Sequence, residues 1–330
     1  MVRPGNRRVV YDAPAPLAAP FNRRDGHYGP VTMVTVFGSC NMDLVAYVAT
    51  PPRRGETVHG RAFSTVPGGK GANQAIAAAR AAANTRFLGA VGDDGFGSRI
   101  RAELGDSGVD TAGLRTVEGH SGTAHIVVDD DGGNSIIVVG GANDTVDRLH
   151  DGDAEAIADS DCLLLQLETP LRGASEAAEV AARNGVRVIL TPAPAEPVPE
   201  SLLSNVDLLV PNEHEAAVLT GESDPERALP ALLESVPEVV VTLGDQGVFY
   251  GNRAGERVRM PAFSVRAVDT TAAGDTFVGV LAAALARGTD ITRALRRGSA
   301  AAALSIQRKG ASGSMPVEDD IHEFLERATD

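Results

Sequence analysis

Lysine is nearly missing from this chain. Lys and Arg together number 30, yet only Lys70 and Lys309 are lysine. Tryptophan is absent, aromatic residues make up 4%, and the two cysteines, Cys40 and Cys162, lie far apart and outside any C-x-x-C. Each scarcity excludes something. Two distant cysteines speak against a disulfide framework or a zinc site, and a reducing cytoplasm is expected. No run of about 18 apolar residues exists, so no transmembrane helix and no membrane partner are expected. The arginine-bearing N-terminus lacks the apolar core of a signal peptide. A net charge of −14 argues against nucleic acid as a partner. With 43% hydrophobic residues and so few aromatics, the core must be aliphatic, which suits an α/β protein with buried parallel strands. The acidic, lysine-poor composition has two readings. One is a halophile, whose salt-loaded cytoplasm screens carboxylate repulsion. The other is a GC-rich genome that favours arginine codons.

Residues 1–32 are rich in Pro and Arg and have no period. They are expected to form a disordered N-terminal extension, or a start-site artefact if Met33 is the initiator. From Val34 onward, apolar runs alternate with Ala-rich helical stretches. The runs are VTVFG (34–38), TRFLGAVG (85–92), CLLLQLE (162–168), VRVILTP (186–192), VDLLVPN (206–212) and EVVVTLG (238–244). Helical stretches at 72–83, 171–184 and 213–220 fall between them. This rhythm predicts one domain over 33–330, an α/β fold with a doubly wound, mostly parallel sheet and helices on both faces. Two segments, about 44–67 and 122–141, are strand-like without a following helix, and the second reads as a hairpin around Asp-Gly-Gly-Asn. They are expected to form a small β-sheet lid over the C-terminal edge of the main sheet, where open α/β sheets bind ligands. After residue 273 the chain reads as helical almost to its end.

Common phosphate motifs are missing. Neither G-x-x-x-x-G-K-[ST] nor a G-x-G-x-x-G after the first strand occurs, which excludes a P-loop NTPase and a standard NAD fold. No histidine has metal-ligand spacing, and no G-x-S-x-G appears. What is present is VDTTAAGDTFVG at 268–279. A strand is expected to end at Val268 and a helix to start near Ala273. Small residues there let the N–H groups of Ala272, Ala273 and Gly274 approach an anion at a helix N-terminus, with Asp275 in the first turn. The plainer reading is capping, with Asp269 as an N-cap.

VPGGKGANQAIAAARAA sets three glycines around Lys70, then Asn73 in a first helical turn. Such a turn passes close beneath a polar ligand with Lys70 and Asn73 as donors, unless it is a plain surface turn. In GSCNMD, Asn41 and Asp43 alternate and so share a side, and an amide paired with a carboxylate suits vicinal sugar hydroxyls. Glu168 in QLETP, and Asn212 with Glu215 in PNEHEA, end two further strands. Acidic or amide residues thus close at least three parallel strands on one edge, which capping alone does not explain.

The ordered set GSCNMDL, GGKGANQA, GDDGFG, QLETP, PNEHEA, TLGDQGV, DTTAAGDTF and RKGASGSMP resembles the ribokinase-like (PfkB-type) carbohydrate kinases from Val34 to Leu325. The family signature D-T-x-G-A-G-D carries Ala272 here in place of its first glycine. The resemblance implies an ATP-dependent sugar kinase, with ribose the favoured acceptor. It gives Asn41, Asp43, Gly69, Lys70, Asn73 and Glu168 to the sugar, and Asp275 as general base. It makes Ala272, Ala273 and Gly274 an anion hole, and has Asn212 and Glu215 organise Mg²⁺ and the phosphates. Thr242, Gly244, Gly247 and Ser299 would line the nucleotide. Asp269, Thr271, Ser305, Arg308, Gly310 and Ser314 match positions that hold a monovalent cation, K⁺. A homodimer through the lid sheet is implied as well. The alternatives are a kinase of the same family acting on 2-keto-3-deoxygluconate, fructose, a sugar phosphate or a nucleoside, or a non-catalytic sugar-binding protein. A phosphorylated substrate would need extra basic residues, and the acidic segment 122–141 has none.

Overall fold

The computed structural model describes residues 32–131 and 133–328. The extension expected over residues 1–32 lies outside them, apart from Thr32. In chain order, β1 (Met33–Phe37), β2 (Asn41–Tyr47) and β3 (Ala62–Gly68) precede α1 (Lys70–Arg80), β4 (Asn84–Gly92) and α2 (Gly95–Asp106). Four strands follow: β5 (Val109–Asp110), β6 (Leu114–Val117), β7 (Gly122–Val128) and β8 (Asn134–Val139). Then come α3 (Asp153–Ala158), β9 (Cys162–Leu165), α4 (Leu171–Arg183), β10 (Arg187–Leu190), α5 (Glu200–Leu203), β11 (Leu208–Leu209), α6 (Glu213–Thr220) and α7 (Pro225–Ser235). The chain ends with β12 (Glu238–Thr242), β13 (Val248–Asn252), β14 (Arg257–Met260), α8 (Ala273–Ala286), α9 (Ile291–Ser305) and α10 (Glu318–Arg327).

The large sheet runs β14-β13-β12-β11-β10-β9-β1-β4-β5, with β6 also on β4. Pairs from β12 through β1 to β4 are parallel, and β13 and β14 add an antiparallel edge. Alternate residues along each strand feed opposite cores. Cys162 and Leu164 of β9, Ile189 of β10 and Val240 of β12 pack with α1, α8 and α9. Leu163, Leu165, Val188, Leu190, Val239 and Val241 pack on the other face with α4 and α7. These strands are buried on both sides, which is why they read as unbroken apolar runs.

The strand order reverses at β1: the chain leaves it for β4 on one side and returns to its other side as β9. Such a switch point opens a crevice at the strands' C-terminal ends. The register sets those ends level, with Phe37 opposite Leu165, Leu165 opposite Leu190, and Leu190 opposite Leu209. Two helix starts are drawn into the same crevice. Helix α8 lies close on α1 because Gly279 has no side chain: a Cβ there would sit 2.5 Å from the Gln74 carbonyl oxygen and 2.6 Å from the Ala77 Cβ. Alanines on α1 keep that face equally thin.

The remaining strands make a separate sheet, β3-β2-β7-β8. It begins earlier than 44: Asn41 and Asp43 belong to β2 itself, paired opposite Gly68 and Val66 of β3. Its edge strand β8 is exposed along its whole length.

Candidate active site

The crevice is furnished by residues just beyond strand ends. After β1 comes Ser39, whose Oγ donates to Glu168 Oε2 at 2.5 Å. The same carboxylate oxygen accepts the backbone N–H of Lys70 at 3.0 Å. Glu168 therefore ties the end of β1 and the start of α1 to the segment after β9. The approach needs glycine at 69, where φ is 90° and a Cβ would lie 2.8 Å from the Asn41 nitrogen. Gly68 likewise makes room for Asp43, whose Oδ2 would stand 2.4 Å from a Cβ.

Asp275 sits in the first turn of α8 and is buried. Its carboxylate accepts Asn73 Nδ2 at 3.0 Å and Gln74 Nε2 at 3.2 Å, both from α1. Lys70, Thr191, Asn212, Glu215, Thr242 and residues 272–275 line one cleft with it. The N–H groups of Ala272 and Gly274 have no intramolecular partner among the described residues, and they point the positive end of α8 at the cleft. The N–H of Ala273 differs from expectation: it closes a turn onto the Thr270 carbonyl at 3.2 Å. Ala272, at φ 57°, turns the chain into the helix in place of a side-chain cap.

Charge in the cleft is strongly coupled. Burial pushes the Asp275 carboxyl up, against the pull of Lys70, Asn73 and Gln74. Asp43 is pushed up to about 7, first by burial and then by the charges of Glu168 and Asp275. Burial works against the Lys70 ammonium, but Asp275, Glu168 and Glu215 together hold its pKa above the ordinary value. Burial also raises Glu215, opposed by the Asn212 N–H and Lys70. A carboxylate of raised basicity beside free N–H donors can take a proton while an anion sits next to it.

Several expectations need correcting. No strand ends at Val268; residues 261–270 lie outside any strand. Instead Val268 and Asp269 both donate to the Ile306 carbonyl, so the segment is held by the chain after α9 and not by the sheet. Asp269 does not cap α8. Its Oδ1 accepts the Thr271 N–H and hydroxyl at 3.0 and 2.7 Å, and its Oδ2 accepts the Gly310 N–H at 2.9 Å. Those bonds hold its pKa below the usual range in spite of burial.

The structure thus joins Asp269, Thr271 and Gly310. Ser305 and Ser314 are buried with their hydroxyls turned to the Ala302 and Ala311 carbonyls, and the Arg308 guanidinium stands 3.7 Å from Asp320 of α10. Asn212 and Glu215 form a reciprocal capping box at the start of α6. Gly244 and Gly247 bracket the turn after β12, with Gly247 at φ 94° against the Met260 carbonyl. Ser299 lies in α9 with its hydroxyl unpartnered. These last three are not among the residues lining the cleft.

Other polar residues at the site escape a reading of motifs one at a time. Asn143 donates to Asn41 Oδ1 at 2.7 Å and to the Cys40 carbonyl at 3.2 Å, and accepts the Cys40 N–H at 3.1 Å. Gln74 and Gln166 join Asp275 from the interior. A signal exists in the sequence for Gln166, a lone amide after the apolar run CLLL, whereas Gln74 stands beside Asn73 and is overshadowed by it.

A buried carboxylate beside unpartnered N–H groups at a helix start suits phosphoryl transfer to an alcohol group. The comparisons agree: the pfkB family of carbohydrate kinases matches residues 31–318, and the chain belongs to that family. A ribokinase of Haemophilus influenzae is 42% identical over 303 residues, covering 89% of this chain and 99% of the relative. A ribokinase of Bacillus subtilis is 43% identical over 295 residues, covering 88% and 99%. Among solved structures, Arabidopsis thaliana ribokinase complexed with ribose and ATP superposes with a TM-score of 0.85 at 34% identity, covering 90% of this chain and 99% of that one.

Proposed function

We propose that the chain is an ATP-dependent ribose kinase that transfers the γ-phosphate of ATP to the 5-hydroxyl of D-ribose. The observation that carries this is Asp275: a buried carboxylate held on its inner side by two amide donors, next to the unpartnered N–H groups of Ala272 and Gly274. The relatives named ribokinase support ribose as the sugar. Asp43, Asn73, Glu168, Lys70 and Gly69 hold its hydroxyls, with Asn41 braced behind them by Asn143. Asn73 Oδ1, buried without a partner, is a free acceptor for one of them.

Phosphoryl transfer depends on in-line positioning and charge neutralisation more than on covalent chemistry. Asp275 receives the hydroxyl proton late in the transfer, when a loose transition state releases it. The free N–H groups and the Lys70 ammonium stabilise charge on the moving phosphoryl group. Thr242 lines the cleft and would meet the nucleotide there, and Gly244, Gly247 and Ser299 would meet it where it extends beyond the cleft. Asn212 and Glu215 suit Mg²⁺: hard oxygen donors lie at the cleft wall, each Glu215 oxygen keeping a lone pair beyond its capping bond, as fits an ion that retains waters. Bound there, Mg²⁺ would neutralise phosphate charge. A monovalent cation suits the oxygen-rich turn around Asp269, Thr271 and Gly310, with Ser305 at the end of α9 and Arg308 and Ser314 on the chain after it. Its effect would be to stiffen the segment that carries Ala272.

The small sheet acts as a lid that excludes water. Its edge strand shows Ile136, Ile137, Val138 and Val139 to solvent, and Phe63 is 66% exposed. An apolar edge of this kind suits a homodimer. Among the described residues no helix is long and apolar enough to cross a membrane. The two free buried thiols fit a reducing cytoplasm.

A coupled assay of ADP release tests the reading, run against ribose, 2-deoxyribose, fructose, 2-keto-3-deoxygluconate, sugar phosphates and nucleosides, with and without K⁺. Ribose is expected to give the highest kcat/KM. Absence of ADP release with every acceptor would refute a kinase, and preference for a hexose, a keto acid or a nucleoside would refute ribose.

A further inference from the structure

Behind the proposed base lies a chain of two amides that the proposed mechanism has not used. Gln166 Nε2 donates to Gln74 Oε1 at 2.7 Å. Gln74 Nε2 in turn donates to Asp275 Oδ1 and to Thr191 Oγ1, each at 3.2 Å. Four elements meet in this chain: the segment after β9, helix α1, the end of β10 and helix α8. Both glutamines are buried, Gln74 completely and Gln166 to within 1%.

The direction of every bond follows from the carboxylate. An ionised Asp275 can only accept, so Gln74 must turn its NH₂ toward it. That leaves Gln74 Oε1 facing inward, where it needs a donor, and Gln166 provides one. The route to it is kept open by two glycines. A Cβ on Gly38 would lie 2.0 Å from Gln166 Oε1, and one on Gly71 would lie 3.0 Å from the same atom. The arrangement has a cost, since Gln166 Oε1 is buried with no hydrogen-bond partner among the described residues. A methionine would fill the space without that loss, so the feature that distinguishes glutamine there is its N–H.

We propose that Gln166 and Gln74 are positioning residues that set the polarity of the amide facing Asp275, holding Oδ1 by a donor so that Oδ2, beyond its bond from Asn73, keeps a lone pair for the sugar hydroxyl. The inference rests on the reading of Asp275 as the base. The charged groups around Asp275 are Lys70 on α1, Glu168 after β9, Asp43 on β2 and Glu215 on α6. None of them hydrogen-bonds either glutamine among the described residues.

The test compares Gln166→Glu with Gln166→Met in the full chain. A glutamate at 166 can only accept once ionised, so kcat is compared above its titration, where Gln74 turns its NH₂ toward it and presents Oε1 to Asp275. A methionine removes the donor and leaves Gln74 free to choose. Because small misplacements at a reacting centre cost up to about 100-fold, Gln166→Glu is expected to lower kcat by about that factor and Gln166→Met by about tenfold. KM for the sugar should change by less than about threefold in both, since neither side chain touches it. The acid limb of kcat against pH should move to higher pH in Gln166→Met, because a lost donor raises a carboxylate's pKa, and in Gln166→Glu at pH values where the new glutamate is ionised.

Circular dichroism and sugar binding by calorimetry confirm that each variant is folded. If Gln166→Glu does not fold, Gln166→Met and Gly38→Ala, which displaces the same side chain, carry the test. Unchanged kcat and an unmoved acid limb in the folded variants, or a loss confined to KM, would overturn the relay while leaving the base reading intact. Turnover that survives Asp275→Asn overturns the base reading, and the relay with it.

Discussion

Asn73 Nδ2 reaches Asp275 Oδ2 at 3.0 Å across 202 positions of the chain, joining the first turn of α1 to the first turn of α8. The bond holds one oxygen of the proposed base, and the Gln74 amide holds the other. An asparagine at 275 keeps the size of the side chain but cannot take a proton, and one of its two ends must face a donor with a donor. Asp275→Asn is therefore expected to lower kcat by roughly 10²–10⁴, the range for a general base. Sugar binding measured by calorimetry should weaken less than tenfold. A variant that turns over within tenfold of the parent would remove Asp275 from that role.

Asp43 makes stability depend on pH. Its carboxyl titrates near 3.8 in the unfolded chain and at about 7 in the folded one, through burial and then through Glu168 and Asp275. Between those values the folded state holds a proton that the unfolded state has released. Stability therefore falls as pH rises through that window, and the loss is complete above it. Asp43→Asn removes the titration. Its Tm should exceed that of the parent at pH 8 and match it near pH 4, while its sugar affinity drops. Parallel Tm curves for the two proteins from acid to pH 8 would show that Asp43 does not titrate this way.

Ala272 takes φ 57°, a left-handed conformation in which an L side chain crowds its own carbonyl. Such a residue costs about 1–2 kcal/mol, which glycine avoids. Ala272→Gly is expected to raise unfolding stability by about 1 kcal/mol, part of the gain being offset by the freer unfolded chain. Urea denaturation measures it directly, and a destabilised variant would mean that the Ala272 methyl packs usefully enough to outweigh the strain.

The exposed edge strand β8 predicts self-association. Ile137, 69% exposed, is its most open apolar side chain. Ile137→Glu places a charge where a second copy would seat and should convert a dimer into a monomer in light scattering after gel filtration. A parent chain that is already monomeric at micromolar concentration would rule out the lid-sheet dimer.

Much of the architecture is legible before any coordinates. Strands β1, β4, β9, β10 and β12 stand out as apolar runs because they are buried on both faces, and α1, α4 and α6 as Ala-rich stretches between them. The antiparallel pair β13 and β14 is harder to foresee: VFYGN and RVRM are short and not separated by a helix, and RVRM is half exposed. The segment before Asp269 misleads for a related reason. SVRAV alternates like a strand, yet its end bonds to Ile306 instead of a sheet, a choice no local pattern contains.

At the site the division is similar. The glycines, Lys70, Asp275, Glu168 and Asn212 are visible because their chemistry is unusual for their surroundings. The convergence of Glu168 and Asn212 on one edge follows from strand polarity, whereas Asp275 arrives on a segment bonded to Ile306. Composition, hydrophobic period and turn chemistry act over a few residues, so the sequence by itself determined the parallel sheet, the strands of the small sheet and the helix start at Ala273. Only tertiary structure decided which N–H groups remain free at that helix start, which side of Gln74 faces Asp275, and that Asn41 is braced by Asn143. Those outcomes depend on how closely α8 settles on α1 over Gly279 and on where Gly38 and Gly71 let Gln166 through, and such distances are set by packing between elements far apart in the chain.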